Sequence, residues 1–144
     1  MENNALITLI TKNVVDGQED CFELTTAGKY KKQNGKYFVS YEGSEISGYK
    51  DTTTTLKIQD DYVSMIRFGK DQSTTQMIFA ENKKYTGIYR TPQGNLSIDV
   101  YTNEMSVQVD DDGGEVELDY FINLNNVSSV RNNLKVKIRK VEQK

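Results

Sequence analysis

The chain has no histidine and no tryptophan, and only one cysteine and one proline in 144 residues. Without histidine there can be no Ser–His or Cys–His nucleophile pair, and no zinc site built on imidazole. The lone Cys21 can form no intrachain disulfide, and no imidazole is present to lower its pKa. A single unbridged thiol fits a reducing compartment. There is no glycine-rich phosphate loop. Nor is there a run of about 18 apolar residues, the length a membrane-spanning helix needs. The first residues lack a basic stretch, and Thr8 and Thr11 break their apolar run, so they do not read as a signal peptide. The expectation is a cytoplasmic protein. A net charge of −3 argues against a basic nucleic-acid face.

What the chain does have is alternation. Apolar residues recur at every second position in 19–30, 36–42, 96–100, 105–109, 116–122 and 134–141, and 5–15, which carries Leu6, Ile7, Leu9, Ile10, Val14 and Val15, reads as the first strand. Shorter apolar segments at 52–58, 62–68, 77–79 and 84–91 complete ten or eleven candidate strands. Turn signals separate them. Asn34-Gly35 is a strong hairpin signal, because both central residues of a type I′ turn need positive φ. Pro92-Gln93-Gly94 and Asp110 to Gly114 mark further tight turns, and 43–51 and 123–133 read as the longer connections. The only proline sits in a turn, so it contradicts no strand.

Short connections make consecutive strands antiparallel neighbours. The spacing predicts one all-β domain over 1–144, an antiparallel up-and-down meander of about eight to ten strands closed into a barrel. Phe22, Leu24, Val39, Leu56, Ile58, Met77, Phe79, Ile98, Val107, Leu118, Val136 and Ile138 are expected inside.

Few residues carry chemistry. Asp110 to Asp112 lack the spacing of a calcium loop and read as a solvated hairpin turn. Glu115, Glu117 and Asp119 alternate with Val116 to Ile122 and read as the outer face of a strand rather than as paired catalytic carboxylates. Lys135, Lys137, Arg139 and Lys140 read as a solvated strand face, with a phosphate-binding stripe as the alternative. No catalytic residue, metal ligand or cofactor is indicated. Arg67 is the odd residue. It shares parity with Val63 and Met65, but both faces of this strand are apolar; if Val63 and Met65 face the core, Arg67 points inward near the barrel end. A buried guanidinium needs acceptors. Arg67 is therefore either a structural contact at the rim, with Glu42 as first partner, or the anchor of an anionic ligand.

An ordered set of short motifs resembles a known family. It runs from Thr26-Ala-Gly28 through Tyr41-Glu42, Met65-Ile-Arg67-Phe-Gly69, Met77-Ile-Phe79, Tyr89-Arg-Thr91-Pro-Gln-Gly94 and Tyr101-Thr102 to an acidic strand ending at Tyr120 and a lysine-rich last strand. In order and spacing this resembles the YwiB-like proteins of Gram-positive bacteria, over nearly the whole chain. The resemblance implies a calycin-type barrel similar in architecture to lipocalins. It implies no activity, because the family is a domain of unknown function.

Two readings of function stay open. In the first, the barrel binds a small apolar or anionic ligand inside it or at its mouth. Tyr37, Tyr41, Met65, Met77, Phe79, Tyr89 and Tyr120 are its inward candidates, with Arg67, Tyr41, Tyr89 and Tyr120 as the ligand-binding set. In the second, a barrel filled with side chains serves as a non-enzymatic interaction or regulatory module. An enzyme is the least favoured reading. Neither nucleic acid nor membrane is expected as a partner, and the sequence leaves the oligomeric state open.

Overall fold

The computed structural model describes residues 3–15, 17–43, 52–70, 72–124 and 128–141. Among them the chain forms ten strands and no helix: β1 (Ala5–Val15), β2 (Gln18–Gln33), β3 (Lys36–Glu42), β4 (Thr52–Ile58), β5 (Val63–Gly69), β6 (Thr74–Phe79), β7 (Lys84–Thr91), β8 (Gly94–Asp110), β9 (Gly113–Leu124) and β10 (Ser128–Lys140). Each strand pairs antiparallel with the next, and β10 pairs with β1 to close the barrel. The meander expected from the sequence is therefore the observed fold.

Local chemistry explains the joints. Asn34 and Gly35 have φ of 54° and 78°, as the type I′ hairpin between β2 and β3 requires. The segment 44–51, within the loop expected at 43–51, lies outside the described residues. Two sequence expectations are corrected. The segments 96–100 and 105–109 are not separate strands; both belong to β8. A register shift between Thr102 and Glu104 opposite β9 inserts one extra residue, a β-bulge. The bulge moves the inward positions from Ile98, Val100 and Thr102 to Met105, Val107 and Val109. The connection expected at 123–133 is mostly strand as well, since β9 runs to Leu124 and β10 starts at Ser128.

The core is the inner face of all ten strands. Val39, Leu56, Ile58, Met77, Phe79, Ile98, Leu118, Val136 and Ile138 are buried as expected. Phe22, Leu24 and Val107 are only half-buried. Val107 packs against the core, whereas Phe22 and Leu24 face a cavity. Outside, the basic stripe of β10 lies against the acidic stripe of β9. Lys135 meets Glu115 at 3.4 Å, and Arg131 meets Asp119 at 2.9 Å. These charges are spent on each other, which favours the solvated face over a phosphate stripe.

The β8–β9 hairpin closes one end of the barrel. Tyr30 donates its hydroxyl to the Asp110 carbonyl at 2.7 Å, and Tyr37 donates to Asp111 Oδ1 at 2.7 Å. The two rings stack 5.4 Å apart, and Lys32 reaches Asp111 at 3.7 Å. Accepting the Tyr37 hydrogen bond, with Lys32 nearby, holds the Asp111 carboxyl below its ordinary range. The same hydrogen bond, reinforced by desolvation and the nearby carboxylates, pushes Tyr37 up from 10.0 to about 12.

A phenol whose folded pKa is raised contributes its full stability below its unfolded pKa and loses it as pH rises through the folded one. The urea midpoint is therefore expected to fall from pH 10 to 12, and to fall less steeply in Tyr37→Phe. Tyr30, raised chiefly by burial, remains in the variant, so the slope shrinks rather than vanishes. Equal slopes in the two proteins would show that the Tyr37–Asp111 contact does not form. Asp111 acts at the other end of the scale: its contribution is present above its ordinary pKa and is lost as pH falls through the depressed one.

Candidate functional site

Among the described residues, the opposite end of the barrel holds a hollow. One row of register partners crosses five neighbouring strands there: Tyr41 on β3, Thr54 on β4, Arg67 on β5, Thr75 on β6 and Tyr89 on β7. Residues directly opposite in adjacent strands share a face, with Cβ atoms about 5 Å apart. Arg67 thus stands inside the barrel between two threonines. It is half-buried, its Nε is shielded from solvent, and its side chain is engaged in polar or electrostatic contact. The next row inward is Val39, Leu56, Met65 and Met77. Val39, Leu56 and Met65 have no accessible surface, so no water-sized space borders them. This row is the floor beneath Arg67.

The other wall is built from longer strands. Leu118, Leu134, Thr11 and Phe22 form one of its rows, and Val116, Val136, Leu9 and Leu24 another. Beyond them, Tyr120 pairs with Asn132 and Asn132 with Asn13. Between the two walls lies a cavity of about 340 Å³. Its apolar lining includes Leu9, Phe22, Leu24, Met77, Ile122 and Leu134, and its polar groups include Thr11, Asn13, Thr54, Arg67 and Asn132. Phe79 packs edge-on against Tyr120, with ring centroids 4.7 Å apart, and fixes that ring in the wall.

Of the residues singled out in the sequence, Arg67, Tyr41, Met77 and Tyr120 come together on this cavity. Tyr89 shares the Arg67 row but packs half-buried against the core and is not part of the lining. Tyr37, Met65 and Phe79 belong to the filled part of the barrel, and Tyr37 joins the closed end. Glu42 borders the cavity too, but it alternates outward from Tyr41 and is exposed. Asn13, Asn132 and Thr11 were not singled out. Their signal was polar residues at inward parity in strands that are otherwise apolar inside. Among the described residues, no group of three or more carboxylate or thiol side chains is placed to hold a metal.

The molecule is thus a closed, ten-strand antiparallel β-barrel, plugged at one end and hollow at the mouth of the other. It belongs to the family described as a domain of unknown function (DUF1934), whose model matches residues 7–136. The chain is 26% identical over 123 residues to the uncharacterized beta-barrel protein YwiB of Bacillus subtilis (strain 168), a match covering 83% of each chain. The crystal structure of the ywiB protein from Bacillus subtilis superposes with a TM-score of 0.77, covering 97% of this chain and 93% of that one at 15% identity. At that identity the superposition speaks for the fold. The family resemblance read from the ordered motifs is borne out.

Proposed function

We propose that this protein binds a small ligand in the mouth cavity, with Arg67 as the polar anchor and Tyr41 and Tyr120 in the walls. One observation carries the reading: a barrel packed without gaps around Val39, Leu56 and Met65 leaves a hollow immediately above them, with an inward arginine on its wall. Concave, mostly apolar sites with a few placed polar groups are the usual form of small-molecule sites. The charge pattern supports a ligand carrier over a membrane barrel. Glu115, Glu117, Asp119, Arg131 and Lys135 point outward and the apolar side chains inward, the inverse of a lipid-facing barrel. The reading places the barrel in the cytoplasm, where an exposed free thiol such as Cys21 stays reduced.

Native mass spectrometry of the protein as purified is the test. It is expected to show a fraction of the chain carrying an adduct small enough for the cavity. Arg67→Met should lose the adduct while its circular dichroism stays that of a β-barrel. An adduct retained in full by the variant would remove Arg67 from the site.

A further inference from the structure

A cationic face lies on the outside of β2, β3 and β4, and none of its lysines lines the mouth cavity. From it we infer that the barrel docks a short acidic segment of a partner protein on Lys29, Lys31, Lys36 and Lys57. Strand register builds the face. Lys31, Phe38 and Lys57 stand directly opposite one another, and Lys29, Ser40 and Thr55 form the next row toward the mouth. Lys36 shares the outer side of β3 with Phe38, two positions away. The Cα atoms of Lys29 and Lys31 are thus about 7 Å apart along β2, and those of Lys31 and Lys57 about 10 Å apart across two strand spacings.

Charge selects the occupant. Lys32 meets Asp111, Lys84 meets Asp99, Arg131 meets Asp119 and Lys135 meets Glu115. Among the described residues, none of the four lysines of this face reaches a carboxylate in the same way. Lys31 instead lies over the Phe38 ring, 5.8 Å from its centroid. On a chain of net charge −3, this is a local excess of positive charge. Lys29, Lys36 and Lys57 are half-buried, so their stems rest on the sheet while the ammonium groups reach water. Beside them Thr55 donates its hydroxyl to Ser40 at 3.4 Å, which leaves the Ser40 proton for an incoming carboxylate.

Extent selects the form of that occupant. Exposed carboxylates fence the face at both ends: Glu42 ends β3 on the mouth side, and Asp60 and Asp61 follow β4 on the other. A lipid surface or a long nucleic acid laid on the lysines would press against these carboxylates. Phe38, half-buried beneath Lys31, offers no bare ring on which a base could stack. The face has no arginine to grip a phosphate with two parallel hydrogen bonds. An extended peptide carries alternate side chains on one side, about 7 Å apart, which is the spacing of Lys29 and Lys31.

Fluorescence anisotropy with the full chain is the test. The labelled probes are an octapeptide alternating glutamate and serine, its lysine and serine counterpart, and an oligo-dT of equal charge. Vesicles of equal parts phosphatidylserine and phosphatidylcholine are compared by cosedimentation. The glutamate peptide is expected to bind saturably, one per chain, and to weaken as salt screens the charges. Lys31→Glu combined with Lys57→Glu should weaken it by at least about tenfold. Lys12→Glu combined with Lys83→Glu makes the same change in net charge at exposed positions off this face, and should leave affinity within about twofold. Lys29→Gln combined with Lys31→Gln, a milder change, should weaken binding about threefold and guards against misfolding of the reversed pair. Equal losses in the two reversed pairs would reduce the effect to net charge and overturn the docking face. So would no binding of the glutamate peptide at low salt, equal binding of the lysine peptide, or tighter binding of oligo-dT or the vesicles.

Discussion

Phe79→Ala is expected to lower the free energy of unfolding by about 3–5 kcal/mol. Phe79 has no accessible surface, pairs with Val63 across β5 and β6, and packs edge-on against Tyr120. Removing the ring deletes buried apolar surface and leaves a void that closed strands on all sides cannot collapse into. Domains of this kind are held by about 5–15 kcal/mol in total, so one such substitution removes a large share. Phe68→Ala is the control. Phe68 is 54% exposed on the outer face of β5, and its loss should shift stability by no more than about 0.5 kcal/mol. Urea unfolding of the two variants measures the contrast. Similar losses in both would mean that the inner and outer faces of β5 and β6 are assigned wrongly.

The second large effect is expected at Gly114, on the hairpin that closes the barrel. Its φ of +143° lies in a region open to few residues but glycine, and a Cβ there would fall on the Gln108 carbonyl oxygen and 2.7 Å from the Val109 Cα. Both obstacles are backbone, held by the β8–β9 ladder, so neither can swing away. Backbone strain of about 1–3 kcal/mol adds to overpacking of similar size. Gly114→Ala is therefore expected to cost about 2–5 kcal/mol. Because the tip holds Asp110 and Asp111 against Tyr30 and Tyr37, the variant should also lose part of the alkaline pH dependence. Gly94→Ala is a useful comparison. Gly94 also has a positive φ, 138°, but open space around it, so only the strain should register. Equal stability of Gly114→Ala and the wild-type protein would show that the hairpin tip is not docked as described.

Sequence periodicity reports which side of a strand a residue occupies, and for this barrel it does so from β1 to β10. It does not report whether the space on that side is filled. Phe22 and Leu24 have the same inward parity as Val39 and Leu118, yet they border a cavity. Nothing in their identity separates the two cases. A shift of parity is equally ambiguous, because a turn and a bulge reset the alternation in the same way. This is why β8 looked like two strands around Thr102 to Glu104. The start of β10 was hidden because its inward face is polar. Asn132 and Asn133 look like loop residues, but both lie in β10, and Asn132 lines the mouth cavity. Parity put Arg67 on the same face as Val63 and Met65, but with Ile66 and Phe68 on the other face it took the burial of Val63 and Met65 to show that face is the inner one. That Tyr41 and Tyr120 join it and Tyr89 does not depends on the stagger of strands around the barrel, which pairing sets and local sequence does not.

The most direct test of the mouth cavity is a methyl-detected NMR titration of the full chain with phenylacetate, a probe small enough for about 340 Å³ that pairs an apolar ring with an anionic end. The expected result is saturable shift changes confined to the methyls of Leu9, Leu24, Met77, Ile122 and Leu134, with Val63 and Ile58 at the filled end unmoved. Changes centred on the outer-face methyls of Ile66 or Ile88, or no saturable change anywhere, would contradict it.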